Sequence, residues 1–157
     1  MTRSRTVPSL NGHEYEQGIA RELRARGLRP TRARCHVLAH LRSSECHPCA
    51  EEITLALRDE GHEVGAATVY QNLNRLVESG LVSRVTGVDG RLRFDAELAP
   101  HDHAVCQSCG RIADVAIESR VKRVVDRVTI DGPHVSGWLI KGAHVQVSGV
   151  CPECRRS

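Results

Sequence analysis

Two Cys-x-x-Cys pairs, Cys106-Gln-Ser-Cys109 and Cys151-Pro-Glu-Cys154, restrict this chain more than any other feature of it. Each pair sets two thiols on one tight turn with a bite that suits a tetrahedral ion, and two pairs complete a closed structural zinc site. The competing reading, two disulfides or four unrelated thiols, matches that spacing less well. The pairs are separated by 41 residues, more than one small zinc finger spans. A zinc ion here would therefore staple the tail of the chain onto a folded module, and its loss should unfold that module. His101 and His103 stand just ahead of the first pair, so one short region offers imidazole beside thiolate.

With 157 residues the chain holds one ordinary domain or two small ones, and two small lobes helped by metal fit best. The net charge is only +3, but Arg21, Arg24, Arg26, Arg29, Arg32 and Arg34 crowd one stretch where Glu22 alone opposes them. Such a run is either a solvated helix face or a phosphate-contacting surface. No apolar stretch approaches the roughly 18–20 residues of a membrane span. The start of the chain has Arg3 and Arg5 but no apolar signal-peptide core. The expectation is a cytoplasmic protein with no membrane partner, whose seven cysteines serve metal or redox chemistry rather than structural disulfides.

Residues 1–13 are polar and read as a disordered arm. From Glu14 the spacing turns helical, with Ile19 and Leu23 on one face up to Gly27. Pro30-Thr31 starts a second helix with Val37, Leu38 and Leu41 inward, and Cys35 is placed in the core. A third helix is predicted to open at Pro48 as its first residue and to bury Ala50, Ile53 and Leu57 before Gly61. The fourth places Val69, Leu73, Leu76 and Val77 on one face and ends at Gly80. Its other face shows Thr68, Gln71, Asn74 and Arg75, side chains whose length and hydrogen-bonding groups suit base edges. Strands Leu81–Thr86 and Arg91–Asp95 come next, joined through Val88-Asp89-Gly90. Three helices, a polar-faced fourth and a basic hairpin predict a winged helix-turn-helix domain over 14–95.

A hinge over 96–100 leads to a small α+β lobe over 101–157. Strands are expected around His103–Val105, Arg111–Val115, Val135–Lys141 and Ala143–Val150, with a helix carrying Ile117, Val121, Val124, Val125 and Val128. Its sheet edges and valine stripe need covering, which dimerisation would do. A dimer also supplies the two-fold symmetry that a helix-turn-helix protein needs for a palindromic site.

The remaining candidate ligands are His47, Asp95, His101, His103 and Asp114. Singly each has a bland role, as a helix cap or a solvated strand end. Together with the Ala67-Thr68-Val69-Tyr70 helix, the Ser79-Gly80-Leu81-Val82 exit, the H-x-H-x-x-C-x-x-C-G run and the terminal C-x-x-C, they resemble the ferric uptake regulator family over roughly residues 18–156. The resemblance implies a sensing site on those five residues. Asp95 and Asp114, where iron-sensing members tend to have Glu, tilt it toward the peroxide-sensing branch. Three imidazoles and two carboxylates suit Fe(II) or Mn(II), while zinc is drawn to the thiolates. Within that branch, resemblance implies that Fe(II) and hydrogen peroxide add oxygen to His47 or His103, the metal leaves and repression lifts, whereas Mn(II) holds the repressor closed. Tyr70 joins Thr68, Gln71, Asn74 and Arg75 as a candidate DNA contact. A further site that many members carry beside the H-x-H is not expected, because Pro100 replaces a His and His144 is out of register.

Cys46 and Cys49 bracket His47 and read either as ordinary buried residues or as a redox pair or soft ligand. His13, His36, His40, His62 and His134 receive no role. The leading expectation is a metal-dependent, peroxide-responsive transcriptional repressor that binds DNA as a homodimer. The alternative is an iron, manganese or zinc uptake regulator of the same family. A non-haem iron oxygenase is opposed by the small lobes and the lack of a legible substrate pocket. A zinc-stapled adaptor would show no sequence-specific DNA binding.

Overall fold

The computed structural model describes residues 12–44, 46–99, 101–115 and 146–156. Four helices come first: α1 (Gly12–Ala25), α2 (Arg32–Ser43), α3 (Ala50–Asp59) and α4 (Ala66–Glu78). Two small sheets come after them: β1 (Ser83–Thr86) with β2 (Leu92–Asp95), then β3 (Asp102–Cys106), β4 (Ile112–Val115) and β5 (Gln146–Gly149). A one-turn helix, α5 (Pro152–Arg156), closes the described chain. This mixture of helices and small sheets is the α+β class expected. The predicted helix around Ile117–Val128 and strand around Val135–Lys141 lie outside the described residues, as does the arm up to residue 11. No helix of the described residues is long and apolar enough to cross a membrane.

The helical spacing translates directly into a core. Ile19, Leu23, Val37, Leu38, Leu41, Ile53, Leu57, Val69, Leu73 and Leu76 are all buried together, and Phe94 of β2 and Leu81 complete the cluster. Each such side chain contributes about 1.5–3 kcal/mol by leaving water. Cys35 packs at the edge of this cluster, half-buried, and burial pushes its thiol up. Thr31 caps α2, its hydroxyl accepting from the Arg34 amide at 3.3 Å. α4 is closed just past its Ser79 C-cap at Gly80, where the Leu81 amide donates to the Leu76 carbonyl at 2.9 Å.

Several boundaries differ from expectation: β1 begins at Ser83 rather than Leu81, β5 ends at Gly149 rather than Val150, and two helices start elsewhere. α1 begins at Gly12, two residues before Glu14. α3 begins at Ala50 rather than Pro48, with Cys49 as its N-cap and the Glu52 carboxylate accepting from the Cys49 amide at 2.8 Å. The reason lies in residues 46–49, which run extended as a strap between the two sheets. Cys46 bridges to Ala113 and Cys49 to Arg93. The His47 amide donates to the Ile112 carbonyl at 3.2 Å, and the Phe94 amide donates to the Pro48 carbonyl at 3.1 Å. A residue before proline is pushed away from helical backbone, so His47 is predisposed to this path.

The hairpin and the cysteine turn also meet. Asp89 accepts from the Arg91 amide at 3.1 Å and the Arg93 guanidinium at 3.3 Å, and these contacts hold its carboxyl below the ordinary range. Its Oδ2 lies where a side chain on Gly110 would point: a Cβ there would stand 2.4 Å away. Gly110 also has φ +70. Gly110→Ala is therefore expected to cost roughly 2–4 kcal/mol, combining about 1–2 kcal/mol of left-handed backbone with the collision. In an Asp89→Ala background the cost should fall toward the backbone part. Chemical denaturation of the four members of that cycle checks this, and an unchanged cost in both backgrounds would deny the contact.

Candidate metal centre

Five side chains from four segments converge at the meeting of the two sheets. His47 comes from the strap, Asp95 from the end of β2, His101 from just before β3, His103 from β3 and Asp114 from β4. The period-two rule places His101 and His103 on one face. The antiparallel register sets His103 directly opposite Asp114. One ligand atom from each of the five lies within 4.8 Å of all the others. All the donors expected from sequence for this site are thus brought together, although His47 arrives from the strap and not from a helix start.

The distances within the cluster have the scale of a coordination sphere. His101 Nε2 lies 3.0 Å from Asp95 Oδ2 and 3.1 Å from Asp114 Oδ1. His47 Nε2 lies 3.3 and 3.2 Å from the same two oxygens, and 3.1 Å from His103 Nε2. His103 Nε2 stands 3.9 Å from each carboxylate. Donors at adjacent corners of an octahedron with bonds of about 2.1 Å lie about 3.0 Å apart.

The ring of His101 tests the fit to a cation. Its Nδ1 faces the Ala99 carbonyl at 2.7 Å, and a carbonyl only accepts, so Nδ1 carries the proton. In the neutral ring Nε2 then presents a lone pair toward the cluster. That Nε2 is buried and makes no hydrogen bond among the described residues, despite two carboxylate oxygens within 3.1 Å. Lone pairs brought this close repel one another unless a cation stands between them. The residues present therefore fit a divalent ion with mixed nitrogen and oxygen ligands. Burial opposes charge on Asp95, but the neighbouring imidazoles of His103 and His47 and the Glu97 amide outweigh it and hold the carboxyl well below its usual range.

His47 is 2 % exposed, and its Nδ1 has no hydrogen-bond partner among the described residues. Its orientation comes from the backbone instead, through the Ile112 bond and a hydrogen bond of 3.2 Å from Arg93 Nη1 to its carbonyl. Arg93, 4 % exposed, also pairs with Glu52 at 3.2 Å and Asp89 at 3.3 Å. One guanidinium thus links the strap, the cap of α3 and the hairpin. Sequence reasoning missed this residue, because strand alternation assigns Arg93 to a solvent face that the strap in fact covers. The His47-Pro48 step and Glu52, three residues after the Cys49 cap, were the signals that could have found it.

The four cysteines form the second cluster. β3 and β5 pair in parallel with Cys106 opposite Gly149, which delivers Cys151 beside Cys106. Cys109 Sγ and Cys151 Sγ are 3.8 Å apart. Tetrahedral sulfurs around zinc, with bonds of about 2.3 Å, lie about 3.8 Å apart, whereas a disulfide needs about 2.05 Å. Backbone amides of Cys151 and Cys109 bring the Cys106 thiol down to about 6. Cys151 and Cys109 push the Cys154 thiol up to about 12.

The remaining candidates are dispersed. Cys46 and Cys49 stand at the two ends of the strap, outside both clusters. Thr68, Tyr70, Gln71 and Arg75 are exposed along α4, but Asn74 is half-buried and accepts from Arg84 at 2.7 Å. In the arginine run, Arg34 is buried and donates to the Arg29 carbonyl, and Arg26 donates to Ser79 at 3.2 Å. Part of that run is therefore structural.

Comparison with known proteins identifies the family. The ferric uptake regulator family model matches residues 25–136. The chain is 35% identical over 147 residues to the peroxide operon regulator of Bacillus subtilis (strain 168), covering 94% of this chain and 97% of that protein. The Vibrio cholerae ferric uptake regulator superposes with a TM-score of 0.68 at 29% identity, over 84% of this chain and 98% of that one. The Pseudomonas aeruginosa ferric uptake regulator, solved with manganese, gives 0.63 at 31% identity, over 84% and 96%. With the family match spanning most of its length, the chain belongs to the ferric uptake regulator family.

Proposed function

We propose that this protein is a metal-dependent transcriptional repressor that responds to hydrogen peroxide. The observation that carries the reading is the convergence of His47, Asp95, His101, His103 and Asp114. It is supported by similarity, across nearly the whole chain, to a protein named as a peroxide operon regulator. Those five residues would hold Fe(II) or Mn(II), and Cys106, Cys109, Cys151 and Cys154 would hold zinc. The chemistry a bound Fe(II) supplies is reductive cleavage of the peroxide O–O bond beside the imidazoles, which Mn(II) does not supply.

The chain's own side chains determine where oxygen is received and how its loss of ligation is transmitted. His47 Nε2 and His103 Nε2 are 3.1 Å apart at the shared centre, which supports a reading in which either ring receives the oxygen. His47 and Asp95 are carried by the strap and hairpin, whereas His101, His103 and Asp114 belong to the three-stranded sheet and its entry. Ligation by both groups favours one relative placement of the two parts, and losing a ligand releases it, a shift in population driven by metal affinity. In this reading residues 14–95 form a winged helix-turn-helix domain, 96–100 a hinge and 101–157 a dimerisation domain. The exposed side chains of α4 then read a palindromic operator in successive major grooves.

Three outcomes are expected. Anaerobic protein loaded with Fe(II) and treated with dilute peroxide should gain one oxygen on a His47 or His103 peptide by mass spectrometry, and Mn(II)-loaded protein should not. Unmodified histidines with intact metal-dependent DNA binding would move the reading to an iron, manganese or zinc uptake regulator. Arg93→Gln should weaken Mn(II) binding by roughly tenfold to a hundredfold while zinc content stays constant, because the guanidinium orients His47 without ligating. Tyr70→Ala or Arg75→Ala should cost about 1–3 kcal/mol on the operator and far less on unrelated DNA. Equal losses on every sequence would exclude base reading by those side chains.

A further inference from the structure

The helical layer carries a group of imidazoles that neither cluster uses. His36 and His40 stand one turn apart on α2, so their side chains leave the same face. Opposite them, Glu60 comes directly after the last turn of α3, with His62 two residues later. His40 Nδ1 lies 3.4 Å from Glu60 Oε1, and His62 Nε2 lies 3.7 Å from Glu60 Oε2. The rings of His36 and His62 meet edge to face with centroids 3.7 Å apart. One carboxylate is thus shared by two imidazoles, and a third imidazole packs against one of these.

The backbone on both sides is held in place. α2 is a regular helix, and α3 closes through Gly61 at φ +83. The Gly61 amide donates to the Arg58 carbonyl at 2.9 Å and the His62 amide to the Leu57 carbonyl at 2.8 Å. That paired closure fixes where Glu60 and His62 leave the chain. Unlike the two clusters, the four donors do not meet at one centre as they stand, so an ion would draw them together by rotation of the partly exposed His40, Glu60 and His62 side chains. As a simple ion pair this arrangement is worth little, since a neutral imidazole brings no charge and exposed pairs contribute at most about 1 kcal/mol. As a donor set it is specific: imidazoles with one carboxylate are what zinc, nickel and copper prefer.

We propose that His36, His40, Glu60 and His62 form a further transition-metal site, separate from the two clusters described above, that takes Zn(II), Ni(II) or Cu(II) and clasps α2 to the turn after α3. That turn runs through Val64 into Gly65, the N-cap of α4. An ion here therefore braces the base of the helix whose outer face carries Thr68, Tyr70, Gln71 and Arg75. Its partial exposure makes it an exchangeable site rather than a closed structural one.

The test uses the full-length protein and Ni(II) as the probe, with bound equivalents counted by equilibrium dialysis. The His36→Ala/His62→Ala double variant should bind one equivalent fewer than the unaltered protein, and His103→Ala should retain that equivalent. Glu60→Gln changes an exposed group, so it leaves the core intact. Removing even a residue that only orients a ligand costs roughly tenfold or more in affinity, so Glu60→Gln should weaken the same equivalent by at least about that factor. Ni(II) should also raise the melting temperature of the unaltered protein more than that of the double variant. Equal stoichiometry and affinity in the unaltered protein, the double variant and Glu60→Gln would overturn the proposal and leave an ordinary surface ion pair.

Discussion

The placement of the five-donor cluster depends on two backbone hydrogen bonds made by a four-residue strap. Through its amide His47 joins β4, and through its carbonyl Pro48 joins β2. Without those bonds the two sheets share no ladder, and Asp95 at the end of one has no reason to face His103 and Asp114 on the other. The strap has little freedom of its own. Proline removes a donor and restricts the residue before it, and the capping contact from Glu52 fixes where α3 takes over. An imidazole at position 47 is therefore aimed by main-chain geometry, and it needs no partner at Nδ1 to be held.

Arg93 is the second constraint. A buried guanidinium is costly unless its donors are satisfied, and here Nη1 and Nη2 meet the His47 carbonyl and two carboxylates, while Nε makes no hydrogen bond among the described residues. Its partners belong to α3 and to the hairpin, so the charge that must be neutralised is also what ties those pieces to the strap. Asp89 carries the tie outward to Gly110, beside the first cysteine pair. The nitrogen and oxygen cluster and the thiol cluster are thus mechanically adjacent through a hairpin that contributes no donor to the thiols.

The two clusters also divide their chemistry by how they are assembled. The thiols come as two tight turns brought together by one parallel strand pairing, which suits a closed tetrahedral site. The imidazoles and carboxylates come from separate elements that meet across the junction of the sheets. A site of that kind changes when the junction changes, which is the physical requirement for a sensor, whereas a site on adjacent turns resists change.

Much of this was legible in the chain. Helical spacing identified Ile19, Leu23, Leu38, Ile53, Leu57, Leu73 and Leu76 as core, because burial follows a period that any helix must show. The cysteine spacing indicated one site, and the resemblance indicated the donors of the other. What the chain could not show was the path of residues 46–49 or the burial of Arg93. Both are consequences of a strand paired with a segment far away in sequence, and local periodicity carries no record of such a pairing. By itself the sequence determined which atoms are available as donors and which faces are apolar, since those properties belong to residues and their spacing. The tertiary structure decided which donors share a centre, because convergence depends on hydrogen bonds between segments that no single stretch of sequence contains.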